Sequence, residues 1–363
     1  MDNLQAKNSV ESLAKRIVQD MRDRGLRPKD QYLIAKEACV LFNENIIAVH
    51  RAMKMLADRG ILVRQRRKGT FVGPNFKPAS GPQNSTLSCV HVTMSMAYYQ
   101  TSGVPAKDLI NGIKSVLPLI PIQIHYLPGN DDLGYLKRVI DEIKEKPGQE
   151  GILMIHSTRE MQEYAFTAKS LTAVFGGVYP GISGIPWVDV DQEQTGKIMA
   201  RYALDKNHEK FALLMRDEWR SGDNLLHSGI TSVLGDAGMS MNSLTTISVP
   251  VDIDIIATEI RNLLNSPDRP TAILCRGDYY ADIVVETAKS MDLEVGKDIL
   301  VISGGHLREE PSQDYAYVEP KLNSRQQVQA LIKKLCAIAR GQKKQEDHLI
   351  IPVEIKSPFN KNP

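Results

Sequence analysis

The chain has 363 residues, too many for one small domain and enough for a small domain joined to a large one. Its opening, MDNLQAKNSV, is polar and reads as no secretory signal, and no apolar run reaches membrane-spanning length, so a cytoplasmic protein is expected. The net charge of +2 hides a dipolar chain: residues 1–77 hold 16 Lys+Arg against 8 Asp+Glu and the remainder 29 against 35, so only the front end suits a polyanion.

Val10, Leu13, Ile17, Val18 and Met21 recur on one face of a first helix, which Gly25 and Pro28 end. A short second helix is expected from about residue 33 to 41, and Phe42-Asn43-Glu44-Asn45 is the turn before a third. Ile46, Val49, Met53 and Leu56 give the third its apolar stripe, Asn45 caps it, and Gly60 supplies the left-handed stop. Ile61-Leu62-Val63 and Thr70-Phe71-Val72 then form two strands around a tight turn at Arg67-Lys68-Gly69. Arg64, Arg66, Arg67 and Lys68 crowd this hairpin with no acid among them, and phosphate is the natural partner because each contact releases condensed counterions. The whole is a winged helix-turn-helix.

Residues 9–72 resemble the amino-terminal domain of GntR-family transcription regulators, in GLRPKD at Gly25, the spacing of the third helix and the closing RRKGTFV. The resemblance implies DNA contacts from Lys36, Asn45, Ile46, Ala48, His50 and Arg51, and from the wing through Arg66, Arg67, Lys68, Gly69 and Thr70. The chain departs from the family pattern with Leu33-Ile34-Ala35 in place of a proline-serine-glutamate run, and with Asn45-Ile46 in place of serine-arginine.

A Pro-, Gly- and Ser-rich stretch at residues 74–86 reads as a linker, dividing the chain into a DNA-binding domain at 1–73 and an effector-binding and dimerisation domain at 87–363. In the second part, short apolar strands alternate with helices. Strands are expected near residues 87–92, 123–126, 151–155, 173–175, 211–215, 245–249, 271–274, 298–302 and 349–354. Helices are expected near 106–116, 132–145, 158–169, 193–205, 224–237, 253–265, 279–291 and 324–340, with capping boxes opening on Ser157 and Ser324. The alternation calls for an α/β fold with parallel sheets, and eight or nine strands favour two lobes with a ligand cleft between them.

This part resembles the ligand-binding domain of the LacI/GalR family, whose fold is that of periplasmic sugar-binding proteins. The phrases that carry the likeness are NGIKSVLP at Asn111, GILMIHST at Gly151, IPWVDVDQEQTG at Ile185, KFALLMRD at Lys210, HSGITSVLGDAGM at His227, the run from Arg269 to Ser303, and VEPKLNSRQQVQALIKKL at Val318. A GntR-type head on a LacI-type body resembles the arabinose-responsive repressor group. By that resemblance the protein is a homodimeric repressor of a double-stranded DNA operator, controlled by a sugar, sugar acid or sugar phosphate.

Asn224 stands where the family places an arginine for sugar hydroxyls, Gly277-Asp278 where it has an asparagine-aspartate pair, and Gly305-His306 where it has an acidic pair. The usual carboxylate clamp is therefore incomplete, and Arg216, Arg276 and His306 suit an acidic or altered ligand. Tyr98, Tyr99, Trp219, Tyr279 and Glu319 are further cleft candidates.

Cys39, Cys89, Cys275 and Cys336 lie far apart, mostly in apolar segments, and are expected as core thiols without a zinc pattern or a disulfide framework. The eight histidines form no pair at metal-ligand spacing on one helix, and no serine sits in a nucleophile elbow. Neither an enzyme nor a cofactor is expected. Two alternatives stay open: an intracellular sugar-binding or sugar-modifying protein with the head as an adaptor, and a regulator whose cleft has lost its ligand.

Overall fold

A computed structural model describes residues 2–24, 26–65, 68–77, 87–96, 106–305, 308, 310–342 and 348–359. The chain divides into two compact units, Met1–Ser85 with Ile113–Ile120, and Thr86–Gly112 with Pro121–Pro363. No described helix is long and apolar enough to cross a membrane.

The first unit runs α1 (Asp2–Asp23), β1 (Gln31–Tyr32), α2 (Ala35–Phe42), α3 (Ile46–Asp58), β2 (Leu62–Gln65) and β3 (Gly69–Val72). The strands form an antiparallel sheet in the order β1-β3-β2. Asn45 caps α3 through its side chain, which accepts from Ala48 N at 2.8 Å, and Gly60 leaves the helix at φ +68°. Val49, Met53 and Leu56 meet Leu13, Ile17 and Met21 of α1 in the core. The expected linker begins at Pro74, yet Phe76 is buried in this same core and the Asn75 amide donates to Arg59 O at 3.0 Å. Packed chain therefore continues past Val72, and residues 78–86 lie outside the described ones.

The second unit holds β4 (Leu87–Ser95), α4 (Ala106–Val116, of which Ile113–Val116 count with the first unit), β5 (Ile122–Leu127), α5 (Asp132–Lys144), β6 (Gln149–Ile155), α6 (Arg159–Thr167), β7 (Thr172–Phe175) and β8 (Trp187–Val190). It continues with α7 (Gln192–Asp205), β9 (Phe211–Arg216), α8 (Ser221–Asp236), β10 (Leu244–Val249), α9 (Ile253–Leu264), β11 (Ala272–Cys275), α10 (Asp278–Ser290), β12 (Leu300–Ser303), β13 (Ala316–Pro320), α11 (Ser324–Ala339), β14 (His348–Ile351) and β15 (Val353–Lys356). Two six-stranded sheets result, β14-β8-β7-β6-β4-β5 and β10-β9-β11-β12-β13-β15. Every pairing is parallel except β13 with β15.

The chain crosses between the two sheets three times, from β8 to α7, from β13 to α11 and from β14 to β15. Helices cover the second sheet on both faces: Ile256, Ile260, Val284 and Ala288 on one side, Met199, Ala203, Leu226 and Ile230 on the other. Expected strands and helices match these elements apart from the start of α8, at Ser221 rather than near 224, and from the following. β8 and β13 appear in addition; the run at 349–354 is two strands in different sheets, separated by Pro352; and the caps sit one residue away from the expected ones, on Thr158 and Asn323.

α7 and α8 touch backbone to backbone through two glycines. A Cβ on Gly196 would stand 2.1 Å from Leu226 O, and one on Gly229 would stand 2.1 Å from Glu193 O. No rotamer relieves a clash with a carbonyl, so the helices must separate. Gly229→Ala is expected to lower stability by about 1 to 3 kcal/mol or more in urea denaturation. A change within about 0.5 kcal/mol would show that the helices yield freely.

Candidate functional site

On the first unit, α3 turns a strip of side chains to solvent. Ile46, Ile47, His50, Arg51 and Lys54 are all exposed, at helical spacing opposite the buried stripe. Ile46 is 45 % and Ile47 61 % exposed, unusual for isoleucines on a helix that also buries a core face. Arg64 of β2 reaches the same strip, its guanidinium 3.3 Å from His50 Nδ1. Lys36 and Lys68 are exposed as well, and Ala48 is half-buried. Thr70 is different: it is only 4 % exposed, which takes its side chain out of the open surface. Arg66 and Arg67 lie outside the described residues.

In the second unit, a cleft of about 740 Å³ opens between the two sheets, at the carboxyl ends of β6, β7, β9, β11 and β12. All three interlobe crossings line it, through Val190 and Gln192, through Val318, Pro320 and Gln327, and through Val353.

Its chemistry centres on Asp223, in the first turn of α8 and wholly buried. Arg216, at the end of β9, donates through Nη2 to Asp223 Oδ1 at 2.9 Å, and Arg276, just after β11, donates through Nε to the same oxygen. Arg220 N donates to Oδ2 at 2.7 Å and closes the helix cap. Burial alone would raise the Asp223 carboxyl, but the charges of Arg276 and Arg216 outweigh it and hold the group well below the ordinary carboxylate range.

Arg216 also donates through Nη1 to His156 Nε2, linking the second lobe to the end of β6 in the first. His156 sits at φ +59°, a left-handed conformation that histidine adopts at some cost. Burial, and then the neighbouring Arg216 charge, keep its imidazole neutral.

Asp189, on β8, accepts from Val190 N at 2.8 Å and from Gln192 Nε2 at 3.1 Å. Burial pushes its carboxyl up to about 6, against the lowering effect of Gln192, Arg276 and two backbone N–H groups. Asp278 opens α10 and accepts from Ser303 Oγ at 3.0 Å and Tyr315 OH at 3.3 Å. Among the described residues, Arg220 Nε, Gln192 Oε1 and Tyr280 OH are buried atoms on the cleft lining with no hydrogen-bond partner. Two donors and an acceptor are thus held in place and unused.

Of the residues singled out in the sequence, Arg216, Arg276, Gly277, Asp278, Tyr279 and Gly305 line the cleft. Asn224 is exposed, its amide turned back to Arg220 O at 3.3 Å, and Arg220 is the side chain at the mouth. The Trp219 indole donates to Ser248 Oγ at 3.0 Å, and Glu319 pairs with Lys356 at 3.6 Å; neither lines the cleft. Tyr98, Tyr99 and His306 lie outside the described residues. Sequence reasoning passed over His156, Asp189, Gln192, Arg220, Asp223 and Tyr280. Only His156, directly after β6, carried the signal of a place at the end of an apolar strand; Asp189 lies within β8, and the other four lie at helix starts.

The two buried carboxylates act in opposite senses on stability. Asp189 keeps its proton to a higher pH when folded than when unfolded, so its contribution is full below its ordinary value near 3.8 and is lost as pH rises through about 6. The Asp223 contribution is present above the ordinary carboxylate range and is lost as pH falls through and below it. In urea titrations, Asp189→Asn is expected to flatten the decline between pH about 4 and about 6. Asp223→Asn should cost about 3 to 5 kcal/mol at pH 7 by stranding two arginines. A cost below about 1 kcal/mol would mean that water already screens the cluster.

No family model matches the chain. The HTH-type transcriptional repressor PurR of Photobacterium profundum is 26 % identical over 110 residues, 30 % of this chain and 33 % of that protein, so the chain spans about a third of the length of the curated relatives it matches. Among solved structures, the complex of the transcriptional regulator CelR with cellobiose superposes with a TM-score of 0.63 at 14 % identity, over 88 % of this chain and 93 % of that one. A LacI family transcriptional regulator from Enterococcus faecium, with bound ribose, gives 0.60 at 14 % identity, over 74 % and 97 %. The two-lobed α/β body therefore has the fold of LacI-type regulators, that of periplasmic binding proteins.

Proposed function

We propose that the chain is a sequence-specific DNA-binding transcriptional regulator, a repressor of GntR-type head and LacI-type body, whose operator affinity is set by a small polar effector in the interlobe cleft. One observation carries the reading: a cationic recognition strip and a cleft with unused hydrogen-bonding groups are built into one chain. Solved regulators of the same fold with cellobiose or ribose bound support it.

The effector is a sugar or sugar derivative. Asp223 already neutralises much of the charge on Arg216 and Arg276, so the cleft does not present two bare cations to an anion. Asp189, Asp278 and Gln192 offer acceptors, and Arg220 and Tyr280 offer donors, a mixture that suits hydroxyl groups, each of which both gives and accepts. Closure of the lobes turns about the three crossings beneath the ligand. A coupling of about 1 to 3 kcal/mol changes operator occupancy roughly 5- to 150-fold. Two heads read a twofold-symmetric operator, so the protein acts as a homodimer.

The head grips phosphates through Arg64 and Lys68 and reads bases through the strip on α3. Ile46 and Ile47, at the start of that helix, meet thymine methyl groups in the major groove. After selection of the preferred site from random duplexes, replacing its thymines by uracil one at a time should weaken binding by about 0.8 kcal/mol, roughly fourfold, at each methyl an isoleucine covers. Arg51→Glu in the full chain should reduce affinity for the selected site, and Arg64→Glu should flatten the salt dependence by about one phosphate contact. Affinity for duplex DNA that ignores both salt and Arg51→Glu would sink the regulator reading.

For the cleft, thermal unfolding across a panel of sugars, sugar acids and sugar phosphates is the direct measurement. A ligand at about a hundred times its dissociation constant adds roughly 2.7 kcal/mol, and Arg220→Ala should abolish the shift. Silence from the whole panel would favour the regulator without a ligand.

A further inference from the structure

Away from the cleft, the first lobe's sheet carries a polar cluster under α5. Cys89 and His91 alternate on β4 and face the same side; Glu150 is opposite Cys89 on β6, and His125 is opposite Thr93 on β5. Cys89 and His91 are buried, at 4 % and 2 % exposure, and the Glu150 side chain is 9 % exposed. The thiol sulfur, a ring nitrogen of His91 and a carboxylate oxygen of Glu150 all lie within 4.8 Å of one another.

The cluster has a second layer. His91 Nε2 donates to Glu150 Oε2 at 2.7 Å, since a carboxylate is an acceptor only, which leaves His91 Nδ1 to accept from His125 Nε2 at 2.9 Å. His125 Nδ1 in turn stands 3.4 Å from the Tyr135 hydroxyl on α5. Burial, and then His91 beside it, lower the His125 pKa and keep that ring neutral. Lys146 Nζ lies 3.3 Å from Glu150 Oε2 with 39 % of its side chain exposed, so the cluster opens to water on that side.

A hydrogen-bond relay accounts for His91, His125, Tyr135 and Glu150. It has no use for a buried thiol converging on the same point. We propose that Cys89, His91 and Glu150 form a binding site for a divalent transition metal of the zinc class, with a water entering past Lys146 as the fourth ligand. Thiolate, imidazole and carboxylate are the donor set such an ion prefers. Tetrahedral bonds of about 2.0 to 2.3 Å separate ligand atoms by roughly 3.3 to 3.8 Å, which small side-chain rotations reach from here.

The charges balance: two positive on the ion against a thiolate and a carboxylate, which releases the Lys146 ammonium to solvent. Binding expels one proton net, from the thiol. The ring proton of each histidine shifts to its other nitrogen, so that His91 Nδ1–H donates to His125 Nε2, the outer contact that orients a metal-bound imidazole. The site is independent of the proposed regulatory function.

Cobalt(II) added to chelator-treated full-length protein tests it, because sulfur ligation gives a charge-transfer band that nitrogen and oxygen ligands do not. One equivalent should produce that band with the spectrum of a four-coordinate ion, and zinc should displace it. Cys89→Ser should remove the band while Cys39→Ser and Cys336→Ser keep it. His125→Gln should weaken binding about 10- to 100-fold with the band intact. Lys146→Met, an exposed change that spares the core, should strengthen binding by roughly tenfold by removing a competing charge. Absence of the band, its survival in Cys89→Ser, or unchanged or weaker binding in Lys146→Met would each overturn the proposal.

Discussion

The carboxylate of Asp223 fixes the geometry on which the cleft depends. It receives Arg216 from the end of β9, Arg276 from the end of β11 and the backbone N–H of Arg220 at the start of α8, so three elements converge on one buried group. Without it, two guanidinium groups would lose their countercharge in a poorly solvated site, a far larger penalty than an exposed ion pair is worth. With it, the arginines are held in position before any ligand arrives, and less ordering remains to oppose binding. The same helix is pinned along its middle by the glycine contact of α7 on α8, which admits no side chain at Gly196 or Gly229. Close packing there and charge pairing at the buried carboxylate are two halves of one constraint.

From this rigid wall Arg216 leads across the cleft. Arg216 reaches His156, on the opposite lobe, while its other nitrogen holds Asp223. A ligand seated between the lobes must either fit around this link or replace it. The unused Arg220 Nε, Tyr280 OH and Gln192 Oε1 lie on the second lobe and at the first crossing, so contacts made to them add to the link rather than compete with it. Three narrow crossings beneath the cleft offer little resistance to rotation compared with two six-stranded sheets. Lobe closure is thus the soft coordinate of this body, and Arg216 lies on it.

The helices and most strands were legible because each carries an unbroken period or a continuous apolar run: Phe211–Arg216 and Ala272–Cys275 are buried along almost their whole length. β8 was missed because WVDV places a buried aspartate in a four-residue strand, and β13 because AYVEP ends in a glutamate and a proline. Pro352 divides what reads as one strand into two that join different lobes, and only the distant partners, β8 and β13, decide that. The site suffered from a boundary error of the same kind. With α8 taken to begin near 224, Asn224 occupies the mouth; with Ser221 as its first residue, Arg220 does, and Asn224 turns to solvent. The cluster of Cys89, His91 and Glu150 was hidden for a different reason. A search for ligand pairs along helices passes over two residues alternating on a strand, and the third comes from the neighbouring strand some sixty residues away.

On the proposed regulatory reading, the head divides its work unevenly. Arg64 and Lys68, with the basic residues of the wing, act on phosphates and give affinity that falls with salt but carries no sequence information. Discrimination falls to α3, where two isoleucines stand at the helix start and Arg51 is the one guanidinium among the exposed residues of the strip. An isoleucine covering a methyl contributes about 0.8 kcal/mol and a good bidentate contact about 1 to 3 kcal/mol, so one head reaches only a few kcal/mol. Regulators that find one site in a genome need about 4 to 10 kcal/mol over non-specific binding. The shortfall is close to a factor of two, which a second identical head at a fixed spacing supplies. Dimerisation through the body therefore follows from the weakness of the reading helix, and any ligand that changes the spacing of the heads removes half of the discrimination at once.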